Sequence, residues 1–176
     1  EETHTATNIL IATGCVSRPM PGLPFDGKTV IGSKEALVLE KLPKSVVIIG
    51  AGAIGIEFAY IFNAFGSKVT VVEMLPAVLP VEDAEVSAAL GKSFTKQGIT
   101  ILTDHKTTKT ETSGQGVKIT VADKKGAEKV LEAEMALVAI GVAPVLPGGA
   151  LKPELTEKGY LKVDDRYQTS VPGVYA

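Results

Sequence analysis

Three glycines and one glutamate have a spacing that suits the binding of a phosphate-containing ligand. Residues 50–55 read Gly-Ala-Gly-Ala-Ile-Gly, and Glu73 follows 18 residues after the last glycine. Gly50 permits a tight turn, Gly52 lets the backbone approach a pyrophosphate, and Gly55 lets a helix pack closely on a strand. A carboxylate at Glu73 would accept hydrogen bonds from ribose hydroxyls and repel a 2′-phosphate, so the pattern predicts an NAD site.

The elements around these residues decide whether the spacing has that meaning. The β-branched apolar segments 45–49 and 69–72 are typical of strands buried on both faces of a parallel sheet. Apolar residues at helical spacing over 54–65 predict a helix that begins inside the glycine run. This order of strand, glycine turn, helix and second strand is the context in which the motif binds a dinucleotide. Two alternatives stay open: a glycine-rich turn that binds nothing, and an acid that only ends a strand.

The remaining segments complete an α/β pattern. Acids at 82–85 predict the start of a second helix, whose buried face is expected to comprise Val86, Ala89, Leu90 and Phe94. A third strand is expected at 99–102. Segment 105–133, rich in Thr, Val, Lys and Glu and broken by two turn signals, predicts a meander of three antiparallel strands. Another buried strand is expected at 135–140.

Three further segments lie before this pattern. The apolar run 8–12 is a candidate buried strand that a turn at Thr13 and Gly14 closes. Prolines and glycines crowd 19–27, which suits a linker. Segment 33–41 has helical composition. The apolar residues close to both ends indicate a piece of a longer protein.

Composition excludes several classes of function. The 18 basic and 20 acidic residues give a net charge of −2, so we expect no nucleic-acid partner and no membrane association. The single cysteine, Cys15, excludes an intrachain disulfide and points to a reducing compartment, so a cytoplasmic location is expected. No metal site is expected. His4 and His105 are expected to be surface residues, and no residue of the chain is predicted to be catalytic.

Five segments together resemble the pyridine-nucleotide-disulfide oxidoreductase family. They are Ile-Leu-Ile-Ala-Thr-Gly at 9–14, the run at 50–57, Val-Glu-Met-Leu-Pro at 72–76, Ala-Ile-Gly at 139–141 and the closing stretch at 167–176. The resemblance implies a Rossmann-like FAD/NAD(P)-binding fold of three layers, with a parallel sheet and a three-stranded antiparallel meander. It also implies that residues 36–149 are an NAD-binding domain inserted in an FAD domain, to which residues 1–35 and 150–176 belong.

The resemblance assigns a role to each candidate residue. Gly50, Gly52 and Gly55, with Ala53 and Ile54 between them, would bind the pyrophosphate, and Glu73 the adenosine ribose. Glu57 and Gly141 would lie near the nicotinamide, and Thr107 beside the adenine. Thr13 and Gly14 would form a turn near the FAD, while Cys15 would be a small packed residue and not the redox cysteine.

The resemblance also implies a reaction. In the intact protein a dithiol is oxidised by an enzyme disulfide outside this chain, and electrons pass through FAD to NAD. The substrate would be a small dithiol or disulfide, with the lipoyl domain of a 2-oxo acid dehydrogenase complex as a candidate partner and a homodimer as the expected assembly. Within the family the chain is most similar to the lipoamide branch. Mercuric reductase, transhydrogenase and NADH oxidase relatives stay open, as does a nucleotide-binding module without catalysis.

Overall fold

The computed structural model describes residues 4–149 and 151–176, which divide into two compact units. One unit joins residues 1–16 to 142–176, and the other spans Ser17–Gly141. In chain order the elements are β1 (Ile9–Leu10), β2 (Cys15–Ser17), β3 (Val30–Ile31), α1 (Ser33–Ala36), β4 (Ser45–Ile49), α2 (Ala53–Ala64), β5 (Lys68–Val72), α3 (Ala84–Lys96), β6 (Thr100–Leu102), β7 (Lys106–Ser113), β8 (Gly116–Ala122), β9 (Glu128–Ala133), β10 (Met135–Val138), β11 (Val142–Pro144) and β12 (Val174–Tyr175).

A five-stranded parallel sheet forms the centre of the unit Ser17–Gly141. Its strand order is β3-β10-β4-β5-β6, and every neighbouring pair is parallel. Ile48 pairs with Leu137 on one side and Val71 on the other. The central strands β10, β4 and β5 consist mainly of apolar residues, as is typical of strands covered on both faces.

The two faces of this sheet belong to two separate hydrophobic clusters. Ile48, Val71 and Leu137 pack with the aromatic residues of α2 and α3. Their chain neighbours, such as Val47 and Val72, point the other way and pack with residues of β8 and β9. Since side chains alternate along a strand, each strand supplies both clusters. The unit therefore has three layers: helices, parallel sheet and antiparallel sheet. The predicted fold class is confirmed.

The third layer is the predicted meander. Strands β7, β8 and β9 pair antiparallel in sequence order, with a register shift between Thr107 and Lys109. Val117, Ile119 and Val121 of β8 alternate toward the central sheet and are buried. The two turn signals in this segment thus predicted the three antiparallel strands correctly.

The helices depart from their predicted extents and faces. Segment 33–41 forms only the single turn α1, after which Leu37 and Val38 are exposed. In α3 the buried residues are Ser87 and Phe94, and Leu90 is partly buried. Val86 is 58% exposed and Ala89 is also exposed, so the predicted face is wrong at these two positions. The Ser87 hydroxyl donates to the Leu79 carbonyl at 3.1 Å, so this buried polar side chain has a hydrogen-bond partner.

The unit that joins residues 1–16 to 142–176 contains short strands. β1 pairs in parallel with β12, and Ile9 N–H donates to the Gly173 carbonyl at 2.9 Å. β2 and β11 form a second two-stranded sheet. The predicted buried strand at 8–12 is wrong in extent and burial, because only Ile9–Leu10 is a strand and Leu10 is 71% exposed. Among the described residues, β12 is the one strand that pairs with β1.

The compact units and the predicted domains do not share boundaries. The larger unit begins at Ser17 and includes β3, which pairs with β10 through Val30 and Ile31. The boundaries at 36 and 149 stay a prediction about the parent protein. No helix among residues 4–149 and 151–176 is long and apolar enough to cross a membrane.

Candidate functional site

The carboxyl ends of β4, β5 and β10 lie side by side and bring three loops together. The Gly50 N–H donates to the Val72 carbonyl at 2.8 Å, and the Ala139 N–H donates to the Ile49 carbonyl at 2.8 Å. These bonds extend the pairing of the strands by one residue each. The glycine run, the acid after β5 and the segment 139–141 therefore meet at one edge of the sheet, where ligands of open α/β sheets bind.

Gly50 and Gly55 are required by the geometry of the glycine run. Gly50 has φ +104°, and a Cβ there would stand 2.4 Å from the Ala139 carbonyl oxygen. A Cβ on Gly55 would stand 1.9 Å from the Gly50 carbonyl oxygen. Gly50 thus permits the turn and Gly55 permits the close packing of α2 on β4.

Gly52 differs from both, because open space surrounds it. A Cβ at this position would meet no atom within 4 Å. Gly52 is also the residue before the first turn of α2, and no side chain caps that helix end. The N–H groups of a helix's first turn have no partner within the helix and attract anions. The space at Gly52 and the uncapped α2 together could receive a phosphate group.

The Glu73 carboxylate is fixed by two backbone donors. One oxygen accepts from the Ala51 N–H at 2.7 Å and the other from the Leu75 N–H at 2.9 Å. The residue is 8% exposed. A carboxylate has about four lone-pair positions, so each oxygen keeps acceptor capacity for a ligand hydroxyl. The first bond also ties the acid to the glycine run itself.

These groups line a cavity of about 720 Å³ inside the unit Ser17–Gly141. Its walls contain apolar residues of the strand ends, such as Ile49 and Val72. Seven of the predicted site residues line it: Gly50, Gly52, Ala53, Ile54, Glu73, Thr107 and Gly141. The hydroxyl oxygen of Thr107 is buried and has no hydrogen-bond partner among the described residues. A buried hydroxyl without a partner costs free energy that a polar ligand group would offset.

Four predicted residues do not line this cavity. Gly55 is buried beneath the glycine run, and Glu57 is exposed on α2. Thr13 and Gly14 belong to the other compact unit. There, the Thr13 hydroxyl donates to the Val145 carbonyl, and the Val145 N–H donates to the Gly14 carbonyl at 2.9 Å. The roles predicted for these four stay predictions.

Several cavity residues carried no signal that marked them in the sequence. His105 and Lys106 line the cavity, as do Arg18 and Met74. His105 was expected at the surface, but its N–H donates to the Glu73 carbonyl at 3.0 Å, which holds it beside the acid. The available signal was topological: the loop after the third parallel strand must reach the same sheet edge as the glycine run.

No group of His, Cys, Asp and Glu that could hold a metal ion occurs in the part of the chain that the structure describes. Cys15 is exposed and unpaired. The site offers an uncapped helix start beside open space, an acceptor carboxylate and an apolar cavity. Such groups could bind and orient a ligand.

Comparison with known proteins identifies the family. The sequence model of the pyridine nucleotide-disulphide oxidoreductase family matches residues 1–176. The chain belongs to this family. A dihydrolipoyl dehydrogenase of Chlorobaculum tepidum is 44% identical over 173 residues, which are 97% of this chain and 37% of that protein. A dihydrolipoamide dehydrogenase of Chaetomium thermophilum is also 44% identical, over 97% of this chain and 35% of that protein.

Solved structures of this oxidoreductase family have the same fold. LpdA from Mycobacterium tuberculosis superposes with a TM-score of 0.86 at 30% identity, over 98% of this chain and 37% of that one. The HOCl-induced flavoprotein disulfide reductase from Escherichia coli gives a TM-score of 0.76 at 29% identity, over 96% of this chain and 38% of that one. The chain thus spans little more than a third of the length of its relatives.

Proposed function

We propose that the chain is the NAD-binding portion of a dihydrolipoamide dehydrogenase. The whole protein would oxidise dihydrolipoamide with NAD, through FAD and a redox disulfide outside this chain. Relatives named dihydrolipoyl dehydrogenase, at 44% identity over 97% of the chain, support this choice within the family. Residues 36–149 would be the NAD-binding domain, and residues 1–35 and 150–176 parts of the FAD domain.

The observation that carries the proposal is the bond between Glu73 and the glycine run. The Glu73 carboxylate accepts from the Ala51 N–H at 2.7 Å, so the acid that would bind the ribose stands next to the cradle for the pyrophosphate. A dinucleotide needs these two features side by side, because its ribose is joined directly to its phosphates. A glycine-rich turn that binds nothing would need neither the buried acid nor the cavity.

The residues of the cavity fit NAD. The open space at Gly52 and the uncapped start of α2 would hold the pyrophosphate, Glu73 the adenosine ribose, and the wall at Thr107 the adenine. Gly141 and, on α2, Glu57 would lie toward the nicotinamide. NAD when bound supplies a hydride acceptor, while the protein fixes its position and orientation. Thr13 and Gly14 would contribute a turn near FAD in the whole protein.

The remaining expectations concern the whole protein. Its substrate would be a small dithiol, free or carried by the lipoyl domain of a 2-oxo acid dehydrogenase complex. It would act as a homodimer in the cytoplasm, without a nucleic-acid partner. Oxidation of dihydrolipoamide with NAD by the whole protein would support this proposal. Reduction of mercuric ion instead would favour the mercuric reductase branch.

A titration of the chain with NADH tests the site. Glu73→Arg removes the acceptor for the ribose and the bond to Ala51, so we expect NADH affinity to fall by at least tenfold, about 1.4 kcal/mol. Glu73→Gln keeps an acceptor oxygen but loses the charge, so we expect it to narrow the preference for NADH over NADPH. The change in coenzyme fluorescence on binding gives the dissociation constants of each variant for NADH and for NADPH.

The control is Glu128→Arg, which makes the same substitution at an exposed residue of β9 outside the cavity. It should bind NADH as the unaltered chain does. Unchanged affinity in Glu73→Arg would remove the assignment. The chain alone should be colourless and should reduce no dye with NADH, which distinguishes a binding module from an enzyme.

A further inference from the structure

His105 is held at the wall of the cavity by its backbone. Its N–H donates to the Glu73 carbonyl at 3.0 Å, and the Asp104 N–H donates to the Leu75 carbonyl at 3.0 Å. These two bonds tie the start of β7 to the segment that carries the acid. His105 therefore lines the cavity beside the residue that would bind the adenosine ribose.

The imidazole of His105 has one defined orientation and one defined tautomer. Its Nδ1 lies 2.6 Å from the Thr103 carbonyl oxygen. A carbonyl only accepts hydrogen bonds, so Nδ1 carries the proton. In the neutral ring Nε2 then presents a lone pair and acts as an acceptor. The contact with Thr103 also restricts rotation of the ring.

A second polar group lies two residues further on. Thr107 lines the same cavity, and its hydroxyl oxygen is buried without a partner among the described residues. Residues two apart on an extended chain point to the same side. The wall next to Glu73 thus has an imidazole acceptor and an unsatisfied hydroxyl, whereas Ile49 and Val72 line the cavity with apolar surface.

The ligand group that meets this wall must be a hydrogen-bond donor to pair with Nε2. The pyrophosphate contributes only acceptors, and the ribose hydroxyls are the partners of Glu73. In a dinucleotide bound as proposed above, the next group beyond this ribose is the adenine. Adenine carries an exocyclic amino group, which is a donor, beside ring nitrogens that accept.

We propose that Nε2 of His105 accepts a hydrogen bond from the adenine amino group and that this contact makes the site prefer adenine to a 6-oxopurine. This inference rests on the proposed NAD site. In hypoxanthine a carbonyl oxygen replaces the amino group, so two acceptors would face each other. Sites that hydrogen-bond a ligand group discriminate against analogues that lack it, because a buried polar group is left unpaired.

The experiment compares NADH with reduced nicotinamide hypoxanthine dinucleotide. Both coenzymes have the same fluorescent nicotinamide, so one titration method gives both dissociation constants. All titrations are run in the same buffer at the same mildly alkaline pH. We expect the unaltered chain to bind NADH roughly tenfold more tightly than the hypoxanthine analogue.

His105→Phe keeps an aromatic ring but removes the acceptor, and we expect the two affinities to come within about twofold because NADH binding weakens. His4→Phe is the matched control: it makes the same substitution at a histidine of the other compact unit that does not line the cavity. It should keep the tenfold preference. Circular dichroism checks that both variants are folded.

The possible outcomes separate the two proposals. Equal affinities for both coenzymes in the unaltered chain would overturn the role of His105 and leave the NAD site standing. A full preference retained in folded His105→Phe would do the same. Failure to bind either coenzyme would overturn the NAD site and the inference together. If His105→Phe does not fold, the comparison of the two coenzymes on the unaltered chain still decides.

Discussion

The two compact units contain similar apolar segments that are buried to very different extents. In the unit Ser17–Gly141, Ile48 lies in a central strand between two neighbours and is fully buried. In the other unit, Ile9 and Leu10 form a strand with β12 and are 41% and 71% exposed. An apolar segment thus forms a strand in both settings, and the number of covering layers decides how much it stabilises the fold.

Truncation of one isoleucine in each unit gives the largest expected effect. Ile48→Ala removes a side chain packed within the helix-side cluster, so we expect the free energy of unfolding to fall by about 2–5 kcal/mol. Ile9→Ala removes a partly exposed side chain, and we expect a change below about 1 kcal/mol. Urea unfolding is followed by the helical circular dichroism signal for the larger unit, which contains α1, α2 and α3, and by the strand signal, to which both units contribute. Equal losses in the two variants would contradict the comparison.

A second pair of substitutions separates glycines that shape the larger unit from the glycine that leaves room for a ligand. In Gly55→Ala the new Cβ would stand 1.9 Å from the Gly50 carbonyl oxygen, so we expect a loss of about 2–3 kcal/mol in unfolding free energy. In Gly52→Ala the Cβ enters open space, so we expect a loss below about 1 kcal/mol together with weakened NADH binding.

Urea unfolding and NADH titration measure the two effects. A folded Gly52→Ala chain that binds NADH as before would show that the open space at Gly52 is not where the pyrophosphate lies. A stable Gly55→Ala chain would show that the packing of α2 on β4 tolerates a side chain.

The smallest expected effect compares two aspartate turns, one in each unit. A carboxylate oxygen of Asp26 accepts from the N–H groups of Lys28, Thr29 and Val30. A carboxylate oxygen of Asp164 accepts from the N–H groups of Arg166 and Gln168. We expect Asp26→Ala to lower the unfolding free energy of the larger unit by about 1 kcal/mol, because the turn leads directly into β3. Asp164→Ala should leave the helical unfolding midpoint unchanged.

The contribution of Asp26 depends on pH in a defined direction. Partial burial raises the pKa of Asp26, but the N–H groups of Val30, Lys28 and Thr29 lower it, and the resulting pKa lies below the ordinary 3.8. A carboxyl group with a lowered pKa stabilises the fold above its unfolded pKa, and this stabilisation is lost as the pH falls through the folded pKa. The difference between the unaltered chain and Asp26→Ala should therefore be present near neutral pH and disappear in acid. A constant difference from neutral to acid pH would contradict this.

The parts of the fold predicted correctly are those with a strong local pattern. The strands β4, β5 and β10 are mostly apolar, and turn signals separate β7, β8 and β9, so the parallel sheet and the meander follow from the sequence. The buried face of α3 does not, because it includes the polar residue Ser87, which a pattern of apolar residues does not indicate. The burial expected at Ile9 was wrong because a local pattern carries no information on how many layers cover a strand.

The candidate site likewise has residues that the sequence predicts and residues that it does not. The glycine run and Glu73 have a fixed spacing along the chain, and both line the cavity. His105 reaches the cavity because its N–H donates to the carbonyl of Glu73, which lies 32 positions earlier in the chain. Glu73 follows β5 and His105 precedes β7, and these two strands are not consecutive elements. Neither its residue type nor its neighbours mark it, so only the topology of the sheet brings it to the cavity.

The Glu73 carboxylate is both the expected selector of the coenzyme and the partner of the Ala51 and Leu75 N–H groups. This double use constrains how such a site can evolve. A lineage that replaced the acid to admit a phosphorylated ribose would at the same step leave the N–H groups of Ala51 and Leu75 without this partner and release the glycine loop. A change of coenzyme would therefore need a second substitution that holds the loop, and the two substitutions would depend on each other because their effects are not additive.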